Sequence, residues 1–282
     1  MITALDHFVL ICPDLQAGAD TYQRLLGRKP DWVSEPDGGA ATALFRVDNT
    51  ALELIAPAGD GEIGDRLREL LDAHGPKLTS LAFASDSICA DREVFARRGL
   101  SPSGFSDGES VDTLSGEKCH WSRFRCDDAA CAGLKTFILQ RDAELVIAEP
   151  SDEGTVHALD HIVIFTPNPD RALALYGTRL GLDFRLDRTA EQWKTRFLFF
   201  RTGGLIFEVV HRLDKDQDPA GADKIWGLTW TVDNLEAAHQ RLSSNGFDIS
   251  EIRAGRKPGS RVFTVRDGTL DVPTLFIAHE PR

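Results

Sequence analysis

The sequence lacks the features that would place it in several broad classes. No stretch approaches the roughly 18 consecutive apolar residues of a membrane span, so no membrane partner is expected. Residues 1–7 show no basic stretch followed by an apolar one, so a secretory signal is not expected. Cationic excess is missing too: 32 Lys and Arg stand against 44 Asp and Glu, a formal net charge of −12. A phosphate-backbone binder normally carries the opposite sign, which argues against nucleic acid as a partner. Cysteine is sparse, and Cys12, Cys89, Cys119, Cys126 and Cys131 form no Cys-x-x-Cys pair. They read as ordinary thiols of a reducing, cytoplasmic setting. A zinc site built from Cys119, Cys126 and Cys131 is the competing reading. There is no Gly-x-Ser-x-Gly and no phosphate-loop pattern. What remains is a globular composition in 282 residues, enough for two domains at about 150 residues each.

The chain repeats itself. Leu5-Asp6-His7-Phe8-Val9-Leu10 returns as Leu159-Asp160-His161-Ile162-Val163-Ile164, a shift of 154 residues. Tyr22 and Gly27 match Tyr176 and Gly181 at the same shift. Ala51-Leu52-Glu53-Leu54 matches Ile206-Phe207-Glu208-Val209 at 155, the drift that one loop insertion gives. A weaker pair of units follows: Leu81-Ala82-Phe83-Ala84-Ser85-Asp86 matches Leu228-Thr229-Trp230-Thr231-Val232-Asp233 at a shift of 147. The ends also align by residue type, Phe137-Ile138-Leu139-Gln140 with Phe276-Ile277-Ala278-His279. The order is therefore A, B, A′, B′. The modules cover about 1–60, 75–148, 155–213 and 223–282, in domains 1–150 and 155–282. The junction falls in the polar stretch Glu149-Pro150-Ser151-Asp152-Glu153-Gly154.

Within module A, Phe8 to Cys12 reads as a buried strand. Asp14 is placed to cap a helix whose stripe is Leu15, Ala19, Tyr22 and Leu26, and Gly27 ends it. Strands follow near 32–34, 42–47 and 51–55. Each module is thus β-α-β-β-β, and the fold class is α+β. In module B′ a helix opens after Val232 and closes at Asn245-Gly246. One small sheet with one helix cannot bury both its faces. Modules must pair into curved mixed sheets with a concave cup, where ligands bind.

Paired β-α-β-β-β modules with Leu-Asp-His on the first strand and Glu on the last resemble the vicinal oxygen chelate superfamily, and two-domain glyoxalase-like proteins within it. The resemblance spans nearly the whole chain. It implies a divalent metal (Zn, Ni, Mn or Fe) on the floor of a cup, held by His–Glu pairs from two modules. The metal would chelate neighbouring substrate oxygens and stabilise an enolate. His7, Glu53, His161 and Glu208 are the matching ligands, and Glu53 or Glu208 would act as general base. Module B has Ser80, and B′ has Gly227, where the first-strand His belongs.

Three arrangements stay open. Pairing A with A′ gathers all four ligands. Pairing A with B and A′ with B′ splits them, with Gln140 and His279 as polar substitutes. The third arrangement binds no metal. The implied function is a metal-dependent isomerase, lyase or epimerase of a small oxygenated substrate. The alternatives are a non-catalytic binding protein of the same fold and an Fe(II) dioxygenase. The partner is a small molecule, and the chain is a monomer or a homodimer.

Further candidates are Arg46 and Arg201, related by the 155-residue shift, which suit an anionic substrate group. Solvated strand ends are the simpler account of them. Trp121 and Arg123 share one face of a strand and His120 takes the other. Trp193, Phe197, Phe199 and Phe207 read as packing. Residues 214–218 read as a charged loop.

Overall fold

The computed structural model describes residues 1–143, 147, 149 and 153–280. Pro150, Ser151 and Asp152 of the expected junction lie outside the described residues. Module A comprises β1 (Ile2–Ile11), α1 (Leu15–Leu26), β2 (Trp32–Val33), β3 (Ala40–Val47) and β4 (Thr50–Pro57). A helix α2 (Glu62–His74) follows. Module B comprises β5 (Lys77–Ser85), α3 (Ile88–Arg97), β6 (Ser106–Val111), β7 (Lys118–Arg125) and β8 (Lys135–Arg141). Module A′ has β9 (Ala158–Phe165), α4 (Pro169–Ala172) continued by a π-helical stretch Leu173–Arg179, then β10 (Asp183–Ala190), β11 (Thr195–Thr202) and β12 (Leu205–Arg212). Module B′ has β13 (Lys224–Thr231), α5 (Leu235–Ser244), β14 (Arg253–Ala254), β15 (Ser260–Val265) and β16 (Thr274–His279).

Local signals explain the helix ends. The Asp14 carboxylate accepts from the Ala17 N–H at 2.7 Å, satisfying a donor the first turn leaves open. Gly27 sits at φ 77°, a left-handed conformation that stops α1. The buried stripe of α1 includes Ala19, Tyr22 and Leu26.

The strands form two sheets of eight, in the orders β2-β3-β4-β1-β5-β8-β7-β6 and β10-β11-β12-β9-β13-β16-β15-β14. First strands pair antiparallel, β1 with β5 and β9 with β13. Module A therefore shares a sheet with B, and A′ with B′. The arrangement that joins A to A′ does not occur.

Alternation along each strand sends one face inward and the other outward. Phe8 and Leu10 enter a single hydrophobic core that spans both halves. There Phe8 lies 6.1 Å from Trp230, and Phe83 stacks on Phe207 at 5.8 Å. Helix α1 and the π-helical stretch sit in the same interface. The Tyr22 hydroxyl donates to the Thr269 carbonyl at 3.2 Å, and that of Tyr176 to Asp223 at 2.8 Å. Arg179 donates to the Arg98 and Ala130 carbonyls. Because the two sheets bury their inner faces against one another and these helices, their concave faces look outward. The fold thus carries two separate cups.

Helix α2 was not expected. Its Leu67 packs with Ile11 and Ala40, joined by Ile55, Leu70 and Leu71, and so closes one end of the first cup. The second half replaces it with the expected charged loop at 214–218. Among the described residues no helix is long and apolar enough to cross a membrane.

Candidate functional site

The floor of each cup is built by the same irregularity. In β1 the pairing jumps between Leu5 and His7, and in β9 between Leu159 and His161. Each jump leaves one extra residue, Asp6 or Asp160, in a β-bulge. An Asp and the following His then meet on the cup side of the sheet. Asp6 Oδ1 lies 2.7 Å from His7 Nδ1, and Asp160 Oδ1 lies 2.8 Å from His161 Nδ1. The parallel neighbour supplies the Glu, since Val9 pairs with Glu53 and Val163 with Glu208. His7 Nε2 lies 3.5 Å from Glu53 Oε2, and His161 Nε2 lies 3.3 Å from Glu208 Oε2. The Thr229 hydroxyl also reaches His161 Nε2, at 2.9 Å.

A fourth member joins each chain. Arg141 donates to both oxygens of Asp6, at 2.9 and 2.7 Å. His279 Nε2 reaches Asp160 Oδ2 at 2.7 Å. Strand register corrects the alignment of the module ends. Phe83 pairs with Ile138, and its counterpart Trp230 pairs with Phe276. His279 therefore corresponds to Arg141, and Gln140 to Ala278. Gln140 instead accepts from the Ile88 N–H at 3.0 Å, at the start of α3.

Burial by itself would push the Asp6 carboxyl up, but hydrogen bonds from His7 and Arg141 outweigh it and hold it well below the ordinary carboxylate range. Burial raises Asp160 likewise, and its bonds with His161 and His279 bring it down to about 2. A carboxyl whose folded pKa is depressed contributes stability that is complete above its unfolded value near 3.9 and is lost as pH falls toward 2. The stability gap between the wild type and Asp160→Asn is therefore expected to shrink by about 2 kcal/mol between pH 5 and pH 2. Urea midpoints measured across that range check it, and a gap independent of pH contradicts it.

The walls differ. The first cup is lined by Trp32, Leu44, Ala51, Cys119 and Trp121. Arg141 lies over Trp121 at 5.8 Å and Arg123 over Phe137 at 5.4 Å, so Trp121 and Arg123 share one face of the strand, as expected, and it is the face that carries Arg141. His120 takes the other face, 3.3 Å from Glu109. Arg46 stands on the floor, and its Nε and Nη1 are buried with no acceptor among the described residues. Its counterpart Arg201 is exposed.

The second cup is aromatic. Phe197, Val163, Ala190 and Val210 are buried there, with Phe165 and Phe199 against them. The exposed Trp226 and Trp193 extend this wall, Trp226 at 4.9 Å from Phe165 and Trp193 at 6.2 Å from Phe197. Of the four aromatics expected to be packing, only Phe207 belongs to the shared core.

The donor set does not fit a resident divalent metal. A catalytic site takes about three protein ligands. Each cup offers one imidazole and one carboxylate at its centre. By register, the repeat positions of that pair are Ser80 and Phe137 in the first sheet and Gly227 and Leu275 in the second. None of these carries imidazole or carboxylate. His279 is turned onto Asp160, and the His7–Glu53 and His161–Glu208 pairs lie in different sheets. Among the described residues, no three His, Cys, Asp or Glu side chains are grouped to hold a metal ion, which also leaves Cys119, Cys126 and Cys131 as free thiols, with Cys126 and Cys131 hydrogen-bonded to one another.

Known proteins resemble the chain throughout its length. A family model described as a glyoxalase-like domain matches residues 5–155. Another, described as the glyoxalase/bleomycin resistance protein/dioxygenase superfamily, matches residues 160–264. An ethylmalonyl-CoA/methylmalonyl-CoA epimerase from Cereibacter sphaeroides is 37% identical over 62 residues, which are 22% of this chain and 46% of that protein. The match thus spans about half the length of this curated relative. A substituted 4-hydroxymandelate synthase from Streptomyces coelicolor superimposes with a TM-score of 0.69 at 13% identity, covering 99% of this chain and 93% of its own. A hypothetical protein from Staphylococcus aureus gives 0.63 at 10% identity, covering 98% and 100%. At these identities the two structures share the fold alone.

Proposed function

The chain belongs to the glyoxalase/bleomycin resistance protein/dioxygenase superfamily, and from that premise we propose that it is an enzyme that shifts a proton on a small oxygenated substrate in its second cup. The observation that carries this reading is the position of His161. Asp160 fixes its Nδ1, and its Nε2 faces Glu208 at 3.3 Å and Thr229 at 2.9 Å. Glu208 takes the proton from a carbon next to a carbonyl, and the C–H electron pair moves into an enolate. The charge developing on oxygen meets the Thr229 hydroxyl. His161 takes that proton from Glu208 onto Nε2 and delivers it to the adjacent carbon as the enolate electron pair forms the new C–H bond, which leaves both groups as they began. Both groups stand on adjacent strands, on one side of a bound substrate. That geometry favours isomerisation over inversion, although the curated relative is named an epimerase. The aromatic wall suits a substrate with an apolar portion. Five free cysteines support the cytoplasm as its compartment.

The family's metal would act as a Lewis acid on the substrate oxygens, but no step is assigned to it because the donors do not fit. Small hydroxycarbonyl compounds and acyl thioesters incubated with the protein in D2O test the proposal. Deuterium uptake at the carbon next to the carbonyl is expected by NMR, undiminished by a chelator. Exchange that vanishes with chelation, or that persists in Glu208→Gln, overturns it.

A further inference from the structure

The floor of the first cup holds a cation that lacks an acceptor. Arg141 is satisfied by Asp6, with both carboxylate oxygens engaged. Arg123 projects over Phe137. Arg46 differs, because its Nε and Nη1 are buried without a hydrogen-bond partner among the described residues. Buried donors are nearly always paired, and an unpaired one calls for an explanation; Trp230 is sealed in the core, whereas Arg46 is partly exposed and open to a ligand from the cup. A guanidinium is the group best suited to a planar carboxylate.

Neighbouring charge narrows the choice of anion. Asp31 accepts from the Arg46 backbone N–H at 2.7 Å, and Asp6 and Glu53 share the floor. Arg141 is neutralised by Asp6 and Arg123 is exposed, so Arg46 is the one inward cation of the floor left over. A doubly charged phosphate would face those three carboxylates with that single guanidinium. A singly charged carboxylate matches it. Apolar surface lies beside this charge, from Trp32, Leu44, Ala51 and Trp121. Helix α2 closes one end, which limits the length of an occupant. His7 and Glu53 keep 14% and 25% of their side-chain surface exposed, so the floor is open to solvent. Burial pushes the Arg46 guanidinium below its ordinary value, Asp6 and Asp31 oppose that, and Arg141 adds to it. An added anion would relieve this strain on the charge.

We propose that the first cup is a second ligand site, which binds a small organic monocarboxylate with its carboxylate on Arg46 and its apolar body against Trp32 and Trp121. The site is separate from the proton-shifting cup, and the second half has no copy of it, because Arg201 stands exposed.

Benzoate, benzamide and phenyl phosphate serve as probes, read by intrinsic tryptophan fluorescence and by ligand-observed NMR on the full chain. Benzoate is expected to bind saturably, about tenfold or more tighter than benzamide, as one charged hydrogen-bonded contact provides. Arg46→Gln is expected to erase that preference while the proton exchange of the second cup is unchanged. Arg46→Lys, which keeps the charge and loses the planar donors, is expected to fall between the two and serves where the Gln variant does not fold. Tighter binding of phenyl phosphate than of benzoate overturns the charge argument. Equal benzoate binding by wild type and both variants overturns the site. A crystal structure in benzoate showing Arg46 bonded to water alone does the same. None of these outcomes touches the deuterium-exchange test, so the two readings stand or fall separately.

Discussion

Glu208→Gln is expected to lower the proton-exchange rate by about 10²- to 10⁴-fold, with the fold unchanged. That is a loss of about 3–5 kcal/mol of transition-state stabilisation. The amide keeps the volume and the hydrogen-bonding reach of the carboxylate but cannot take a proton at neutral pH. The effect should fall on kcat, since Glu208 acts on the reacting hydrogen and the aromatic wall supplies most of the binding. His161→Gln should cost a similar factor, and the double variant little more than either alone, because residues that act as a unit are not additive. Glu53→Gln is the internal control. It changes the equivalent residue of the other cup and should leave exchange within about twofold of wild type if the cups act separately. Equal losses in Glu53→Gln and Glu208→Gln would remove the distinction between the cups.

That distinction rests on the last link of each chain. In the second cup the sequence of contacts is Glu208, His161, Asp160, His279, and His279 is 31% exposed. Both imidazoles are groups that can give or take a proton, Asp160 stays ionised between them and orients each, and the series ends at solvent. In the first cup the same series ends at Arg141, which does not deprotonate in proteins. A carboxylate clamped by a permanent cation orients His7 but passes no proton outward. Duplication copied the constellation, and a single residue divides its uses.

The repeats made the modules, the order of elements along each module and both His–Glu pairs legible, because a duplicated residue is visible twice. The same reliance on copies hid what was not duplicated. Helix α2 carries its own signal, Leu67, Leu70 and Leu71 at spacings of three and four, but it lies between modules and has no partner in the second half. Thr229 was overlooked because its counterpart is Ala82. Arg141 was missed for a different reason. The apolar runs at 137–139 and 276–278 align best by residue type one position out of register, and only hydrogen bonding between strands fixes a register. Which modules share a sheet is likewise a property of strand pairing, and it decided that the four expected ligands stay apart.

Trp230→Ala is expected to destabilise the protein by about 3–5 kcal/mol and to do so for both halves together. Trp230 is fully buried on β13, a strand of the second sheet, yet its ring faces Phe8 of the first. Removing it opens a cavity at the contact between sheets, beside the stacked Phe83 and Phe207. Its indole Nε1 has no hydrogen-bond partner among the described residues, so truncation strands no acceptor and the loss is one of packing alone. Relief of that unpaired donor offsets part of the cost, which favours the lower end of the range. Were the halves independent domains, only the second would weaken, and calorimetry would resolve an early transition ahead of an unchanged one. A shared core makes the opposite demand. The single transition should move as a whole, and the fluorescence of Trp32 in the first cup should follow the same midpoint as the far-UV signal. Two separated transitions in the variant would show that the cups, and whatever each binds, rest on cores that fold apart.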